Sequence, residues 1–254
     1  QKGMKHMSRN RIWLGLLLAC CLAPTSAPIA FAATPIQDPG VARAIDLLDS
    51  WSGDGAVLEQ ARHELDAALA RDPKSAPAYR EYARYFIATD GDAAFALAEK
   101  AIDRAIELSP GFAEAFVLRG HLYTEMGRLG DAETALTKAE SLGTDDAWLQ
   151  LNWAQVRLEQ GRYEEASSRC SRVVAMKPAK RKIRLAADQC MIDYYKAIGR
   201  SDLVDATYQR QLAYAPEMAW VHGNYAGYLL CSKDHYAAAE TQSRPGLDRM
   251  EYGA

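Results

Sequence analysis

The sequence predicts an all-α fold, a right-handed α-solenoid of about five antiparallel helix pairs. The first observation is an internal repeat between Ala113 and Pro178, in which Gly127 recurs as Gly161 and Ala132 as Ala166, each 34 residues on. The second is the recurrence of apolar residues every three or four positions, as on one face of a helix. A fixed period of this size is typical of stacked helical repeats.

The composition is ordinary for a globular protein, with 49% hydrophobic and 25% charged residues among 254. The formal charge is −3, and it becomes −7 once the first 32 residues, with four basic and no acidic side chains, are removed. A mildly acidic chain has no electrostatic attraction for nucleic acid or for anionic lipid. We therefore expect no nucleic-acid partner.

Residues 1–32 are predicted to be an N-terminal extension and a secretory signal peptide. Basic residues precede the apolar run 12–22, which is too short to span a bilayer comfortably, and a polar stretch with prolines ends at Ala30-Phe31-Ala32. This order predicts cleavage after Ala32 and a periplasmic or secreted mature protein, most consistent with a bacterial envelope.

An alternative interpretation is a lipoprotein. Leu17-Leu18-Ala19-Cys20 resembles a lipobox, in which Cys20 would carry the lipid anchor. The proline-containing stretch after Cys20 has its own cleavage site, which favours the simple signal peptide.

Three cysteines remain after cleavage at Ala32, namely Cys170, Cys190 and Cys231. Cys170 and Cys190 fall on successive predicted helices and could form a disulfide. The favoured interpretation is that each is a small buried apolar side chain. An odd number leaves at least one thiol free or paired between chains.

After a linker at 33–40, the predicted solenoid covers 41–243, and 244–254 forms an irregular C-terminal segment. Proline stops and glycine turns separate the helices, because the residue before proline is disfavoured in a helix. The predicted helices before the repeat are 41–51, 56–71, 76–88 and 93–108, and a fifth unit begins at Ala219.

Two steps of the array exceed 34 residues. We place three extra residues around the turn Asp90-Gly91-Asp92, and four in the basic stretch 179–182. The basic stretch is interpreted as a solvated loop, with a docking site for an acidic partner segment as the alternative.

The repeated positions carry a family resemblance. Each unit has a small residue in its first helix, a glycine at the turn, and small, large and small residues in its second helix. In the second unit these are Gly120, Gly127, Ala132, Leu136 and Ala139. The array resembles the tetratricopeptide repeats, over roughly 41–240. In such arrays small residues let helices approach closely, and each unit buries its apolar face against the next.

Signals for catalysis are weak. His63-Glu64 begins like a metalloprotease motif, but the second histidine position holds Ala67. Phosphate-binding and nucleophile-elbow motifs are missing from the sequence. We expect no enzymatic activity, no cofactor and no metal.

The resemblance implies a concave groove lined by the first helix of each unit, which would bind another protein or a peptide. Trp148 and Trp220 are either binding anchors or residues that pack on the preceding helix. Arg80 and Arg84 could pair with an acidic ligand, or form a solvated surface with acids such as Glu81. Transferred by register, the lining is Arg80, Arg84, Val117, His121, Glu125, Trp148, Leu151, Gln155, Leu158, Gln189, Asp193, Lys196 and Trp220.

These observations predict a non-catalytic scaffold for protein–protein interaction in the bacterial envelope. One alternative is self-association through the C-terminal end, where Pro245 and Gly246 interrupt the last predicted helix near Ser243. Another is an accessory domain of a longer enzyme.

Overall fold

The computed structural model describes residues 38–89, 91–144, 146–233 and 241–243. The predictions on the signal peptide, on Cys20 and on the segment after Ser243 lie outside these residues. Within them the backbone forms helices and no strand, which confirms the predicted all-α fold. The helices with defined bounds are α1 (Pro39–Ser50), α2 (Gly55–Arg71), α3 (Ala76–Thr89), α4 (Asp92–Leu108), α5 (Ala113–Glu125), α6 (Leu129–Ser141), α7 (Ala147–Glu159), α8 (Tyr163–Ala175), α9 (Arg181–Ala197), α10 (Ser201–Tyr214) and α11 (Ala219–Lys233).

Successive helices pack as pairs, from α1 with α2 to α9 with α10, as expected for a solenoid. We call α1, α3, α5, α7, α9 and α11 the A helices and their even-numbered followers the B helices. From α1 to α9 each A helix also packs against the A helix of the next unit, whereas among the described residues no two B helices share an interface of that extent. The A helices therefore form the inner layer of the curve. In the parts of the chain that the structure describes, no helix combines the length and the apolar character needed to cross a membrane.

Small residues lie where A and B helices approach most closely. Ala83, Ala132, Ala154 and Ala166 have no exposed surface. A Cβ atom built on Gly120 would lie 2.4 Å from Cδ2 of Leu136 on the paired helix α6, so only glycine fits there without movement. The register of small and large residues predicted from the repeat is confirmed.

The turn glycines have the conformation that their repeat position requires. Gly127, Gly161 and Gly199 have φ of 70–72°, in the left-handed region that glycine adopts without a steric cost. Each is followed by an amide that closes the helix end, as when Arg162 N–H donates to the Arg157 carbonyl at 2.8 Å. One residue type thus ends three A helices in the same way.

The extra residues of the two longer units are helical rather than loop residues. Helix α4 begins six residues before Ala98, whereas α6 begins three residues before the equivalent Ala132, so the insertion adds helix directly after the predicted turn. Helix α9 begins eighteen residues before Gly199, and α7 only fourteen before Gly161. The interpretation of 179–182 as a solvated loop is therefore wrong for Arg181 and Lys182, which open α9.

Helix α1 begins at Pro39, two residues earlier than predicted, because Asp38 caps it. The Asp38 carboxylate accepts hydrogen bonds from the amides of Gly40 at 2.7 Å and Val41 at 3.2 Å. It also forms an ion pair with Arg71 at 2.8 Å, which ties the start of α1 to the end of α2. Capping and ion pairing together locate the first turn of the solenoid.

A disulfide joins α8 to α9. Cys170 and Cys190 lie 20 residues apart in sequence, with their Cα atoms 5.9 Å apart, and both are buried. The favoured interpretation of two unpaired apolar side chains is wrong, because the packing of successive units brings the two cysteines into bonding distance. Cys231 on α11 is a free, exposed thiol.

Candidate partner-binding groove

The A helices place most of the predicted groove residues on partly exposed positions, but two are covered. Val117 is 4% exposed and packs with Phe116, Leu149 and Trp153. Leu151 is 7% exposed and packs in the core of α7, α8 and α9. Both side chains lie between helices, so neither is accessible to a partner, and the prediction that they line the groove is wrong.

The two tryptophans are half-buried. Trp148 packs against the core clusters on both sides of α7, and Trp220 packs against the cluster of α9, α10 and α11. These contacts favour packing on neighbouring helices over a role as free binding anchors. Asn152 is similar, because its amide donates to the Val117 carbonyl of α5 at 3.2 Å, a bond between helices.

Arg80 and Arg84 belong to a network of charges on α3 rather than to a solvated surface. Glu81 between them is 1% exposed and accepts hydrogen bonds from both guanidinium groups, with Arg84 at 2.8 Å. Arg84 also pairs with Asp49 at the end of α1, at 2.7 Å. Burial of a carboxylate is tolerated only with such partners.

The network continues to the start of α9. The Lys180 ammonium pairs with Asp49 at 3.1 Å, and the Lys182 ammonium donates to the Leu48 carbonyl at 2.8 Å. Burial opposes ionisation of Asp49, but the charges of Arg84 and Lys180 outweigh it and lower its pKa. Burial and the nearby Arg84 lower the pKa of Lys182. Residues 131 and 134 positions apart are thus brought together.

Helix α5 contributes His121 and Glu125 to the same face. The His121 Nδ1 lies 3.8 Å from a Glu125 carboxylate oxygen. Although part of the imidazole is exposed, partial burial by neighbouring side chains disfavours its charged form and lowers the pKa of His121. The positive charge of Arg84 acts in the same direction. This histidine therefore lies near the α3 network.

Helices α7 and α9 give the groove a polar part. Gln155 donates to Glu159 at 2.9 Å, and Gln189 donates to Asp193 at 2.9 Å. Burial raises the pKa of Asp193. Of the buried side-chain atoms without a hydrogen-bond partner in the described residues, Gln189 Oε1 and Arg80 Nε belong to predicted groove residues. Leu158 is half-buried, and Lys196 reaches the Tyr208 hydroxyl at 3.2 Å.

The tyrosine run of α3 is part of the helix packing. Tyr82 and Tyr85 pack with Phe86 at ring-centroid distances of 5.6 and 5.3 Å, and the Tyr85 hydroxyl meets Glu59 of α2 at 3.3 Å. The three-residue spacing of these tyrosines therefore serves packing between helices.

The candidate groove is thus a surface rich in charged and amide side chains. Among the described residues, three or more His, Cys, Asp or Glu side chains nowhere gather as a metal site would require. Sequence reasoning missed Asp49 as a partner of Arg84, and it paired Glu81 with the two arginines but expected a solvated surface, whereas Glu81 is buried. The contact between α1 and α9 could have been suspected from the basic residues at 180–182, because they lie at an insertion in the repeat.

Comparison with known proteins supports the fold at low sequence identity. Neither a family model nor a curated protein matches this sequence. Among solved structures, the chain is similar to the APC/C hetero-tetramer Cut9-Hcn1, with a TM-score of 0.63, 18% identity and 82% of this chain covered. It spans only 42% of the length of that chain.

A second similar structure is PilW, described as a widely conserved type IV pilus biogenesis factor. Its TM-score is 0.57 at 17% identity, and the alignment covers 87% of this chain and 96% of PilW. A shorter match is TTC0263, a TPR protein of Thermus thermophilus, with a TM-score of 0.46 at 20% identity over 54% of this chain and 74% of that one. The repeated helix pairs, the close-packed small residues and the likeness to Cut9-Hcn1 and PilW together show that the chain has the tetratricopeptide-repeat fold.

Proposed function

We propose that this protein is a non-catalytic scaffold of the bacterial envelope that holds a partner protein, or a peptide segment of one, against its A helices. The observation that carries the proposal is the polar inner face. Glu125 is exposed there, and His121, Gln155 and Gln189 are partly exposed. Their carboxylate, imidazole and amide groups can form hydrogen bonds with the backbone and the polar side chains of a bound segment.

The similar structures are consistent with this kind of role. Cut9 is described in a hetero-tetramer with Hcn1, and PilW is described as a biogenesis factor. Association with another protein through a stacked helical array is what we propose for this chain. Extended concave surfaces of solenoids are suited to it, because many weak contacts add up along the array.

The proposed location depends on the N-terminal sequence and is supported by the disulfide. Residues 1–32 have the basic, apolar and cleavage regions of a signal peptide. A disulfide between Cys170 and Cys190 forms and persists in oxidising compartments such as the periplasm. The proposal is a cleaved, exported protein, with a lipid anchor at Cys20 as the alternative.

Site-specific photo-crosslinking tests the groove. A photoreactive residue at Gln155 or Glu125, on the A helices, should give discrete crosslinked products in cells that export the protein. The same residue at Lys138 or Glu164, exposed on B helices, is the matched control and should give none. Equal crosslinking from both faces, or from B helices alone, would contradict the groove.

Mass spectrometry of the mature N-terminus tests the location separately. We expect a first residue of Ala33 in protein recovered from the periplasmic fraction. A diacylated or triacylated Cys20 would instead establish the lipoprotein, and an unprocessed chain in the cytoplasm would contradict export altogether.

A further inference from the structure

The first unit of the described array (α1 and α2) and the fifth (α9 and α10) contact each other. The Lys180 ammonium lies 3.1 Å from the Asp49 carboxylate, and the Lys182 ammonium lies 2.8 Å from the Leu48 carbonyl oxygen. The intervening A helices α3, α5 and α7 pack side by side between these two ends. The row of A helices therefore curves far enough for its fifth member to reach its first across the concave side.

The receiving end of α1 is suited to bind cations. Leu48 is among the last four residues of the helix, whose carbonyl groups have no partner within the helix and carry the negative end of the helix dipole. The Asp49 carboxylate adds a full negative charge beside it. Both lysines meet acceptors that attract an ammonium group.

Lys180 and Lys182 can reach α1 because α9 is one turn longer than α7. That extra turn, from Arg181, places Lys182 in the helix and Lys180 at its cap position. An array with the regular 34-residue step would begin this helix one turn later and lack the contact. The insertion in the repeat therefore produces the contact between α9 and α1.

Among the side chains that bond to one another where the two ends meet, cations outnumber carboxylates. Four cations (Arg80, Arg84, Lys180 and Lys182) face two carboxylates, Asp49 and Glu81. Glu81 is already occupied by two arginines, and Lys182 has only a neutral carbonyl as its hydrogen-bond acceptor in this contact. The excess is positive, within a chain whose formal charge is −3.

We propose that Lys180 and Lys182 form a latch that closes the concave groove onto α1, and that a partner segment rich in carboxylates opens it by competing with Asp49 and Leu48 for the two lysines. The Lys180 side chain is 67% exposed, so a competing carboxylate can approach it. Because exposed ion pairs are weak and screened by salt, the closed state can be displaced without unfolding any unit. The partner's role rests on the proposed scaffold function, whereas the latch itself does not.

Pulsed electron paramagnetic resonance on the full chain tests the latch without any partner. Spin labels at Ala42→Cys on α1 and Ala179→Cys directly before α9, both exposed alanines, would be read in a Cys20→Ser/Cys21→Ser/Cys231→Ser background. We expect one short, narrow distance at low salt, and a shift to longer, broader distances in Lys180→Gln/Lys182→Gln or at high salt. The charge-matched control Lys74→Gln/Lys138→Gln should keep the short distance.

An unchanged distance distribution in the lysine variant, with native circular dichroism, would overturn the latch. A long distance in the unaltered protein at low salt would do the same. Neither outcome bears on whether the groove binds a partner, which the crosslinking experiment addresses.

A second measurement tests the acidic occupant with deca-glutamate and deca-glutamine peptides as probes. Deca-glutamate should lengthen the label distance in the unaltered protein, and its dissociation constant should rise about fivefold or more in Lys180→Gln/Lys182→Gln. Deca-glutamine, which has the same length and no charge, is the control and should do neither. Opening by both peptides or by neither would overturn the assignment of a carboxylate-rich partner.

Discussion

Single side chains determine how closely the helices of this protein approach. Gly120 is the clearest case, because the space that a Cβ atom would need is already filled by Leu136 of the paired helix. The repeat pattern predicts a small residue at this position. The packing shows that even alanine is too large unless Leu136 or the helix moves. Glycine is therefore required here for contact rather than for flexibility.

Replacing Gly120 by alanine should destabilise the protein by about 1–3 kcal/mol, because overpacking forces Leu136 or the helix to move. Urea unfolding followed by circular dichroism measures the change. Gly130→Ala is the matched control, since its Cβ atom would meet nothing within 4 Å, and it should be neutral or slightly stabilising. Equal losses in both variants would show that the Gly120 contact is unimportant.

A second residue-scale prediction concerns Asp38. The Arg71 side chain, with help from the amides of Val41 and Gly40, lowers the pKa of Asp38 to about 2. Because the folded pKa is below the unfolded value, the stabilisation is present above about pH 4 and is lost as the pH falls towards 2. Asp38→Asn should therefore lower the melting temperature at pH 7 and show a smaller loss between pH 4 and 2.

Asp38→Asn keeps an oxygen that can cap α1, so the comparison isolates the ion pair with Arg71. Asp72→Asn serves as the control, because Asp72 is exposed directly after α2. Identical acid profiles for Asp38→Asn and the unaltered protein would contradict the role of this carboxylate.

At the scale of helices, the disulfide between α8 and α9 is the main departure from the sequence prediction. It crosses the boundary between two units, where a solenoid otherwise depends on side-chain packing alone. It also holds the helix whose first turn carries Lys182. No sequence motif marks the two cysteines as a pair. They meet because one unit stacks on the next.

Removing this disulfide should cost about 3 kcal/mol, from the loop-closure entropy of a cross-link that spans 20 residues. The measurement is urea unfolding of Cys170→Ala/Cys190→Ala against the oxidised protein, and of the oxidised protein with and without reductant. Cys231→Ser is the control and should be as stable as the unaltered protein under oxidising conditions. No difference between oxidised and reduced protein would contradict a bond at this site.

At the scale of the whole described array, stability is expected to be roughly nearest-neighbour, so the terminal units should open most easily. The latch adds a link between the first and fifth units that this rule does not include. Protection of α1 should then depend on two lysines more than a hundred residues away.

Hydrogen exchange tests this link. In Lys180→Gln/Lys182→Gln, amides of α1 and of the first turn of α9 should exchange faster, whereas those of α5 and α6 should be unchanged. Lys74→Gln/Lys138→Gln should leave all of them unchanged. Faster exchange spread evenly over the array would indicate general destabilisation instead of a lost link.

The positions of the candidate groove residues on the A helices were predictable because they follow from register. The repeat identifies the A helices and thus places His121, Glu125, Gln155, Gln189 and Asp193 on one side. The prediction that Val117 and Leu151 line the groove failed, because adjacent A helices pack tightly enough to cover the positions between them. Register along a helix does not state how closely the next helix approaches.

The sequence by itself determined the order of the helices, most of their extent and most of the residues that face the core. These depend on contacts within one unit and with the next, which a 34-residue period records directly. Only the tertiary structure decided which distant groups meet, namely Lys180 with Asp49 and Cys170 with Cys190. The physical reason is that curvature adds up over several units, and the extra turn of α9 lets its first residues reach α1.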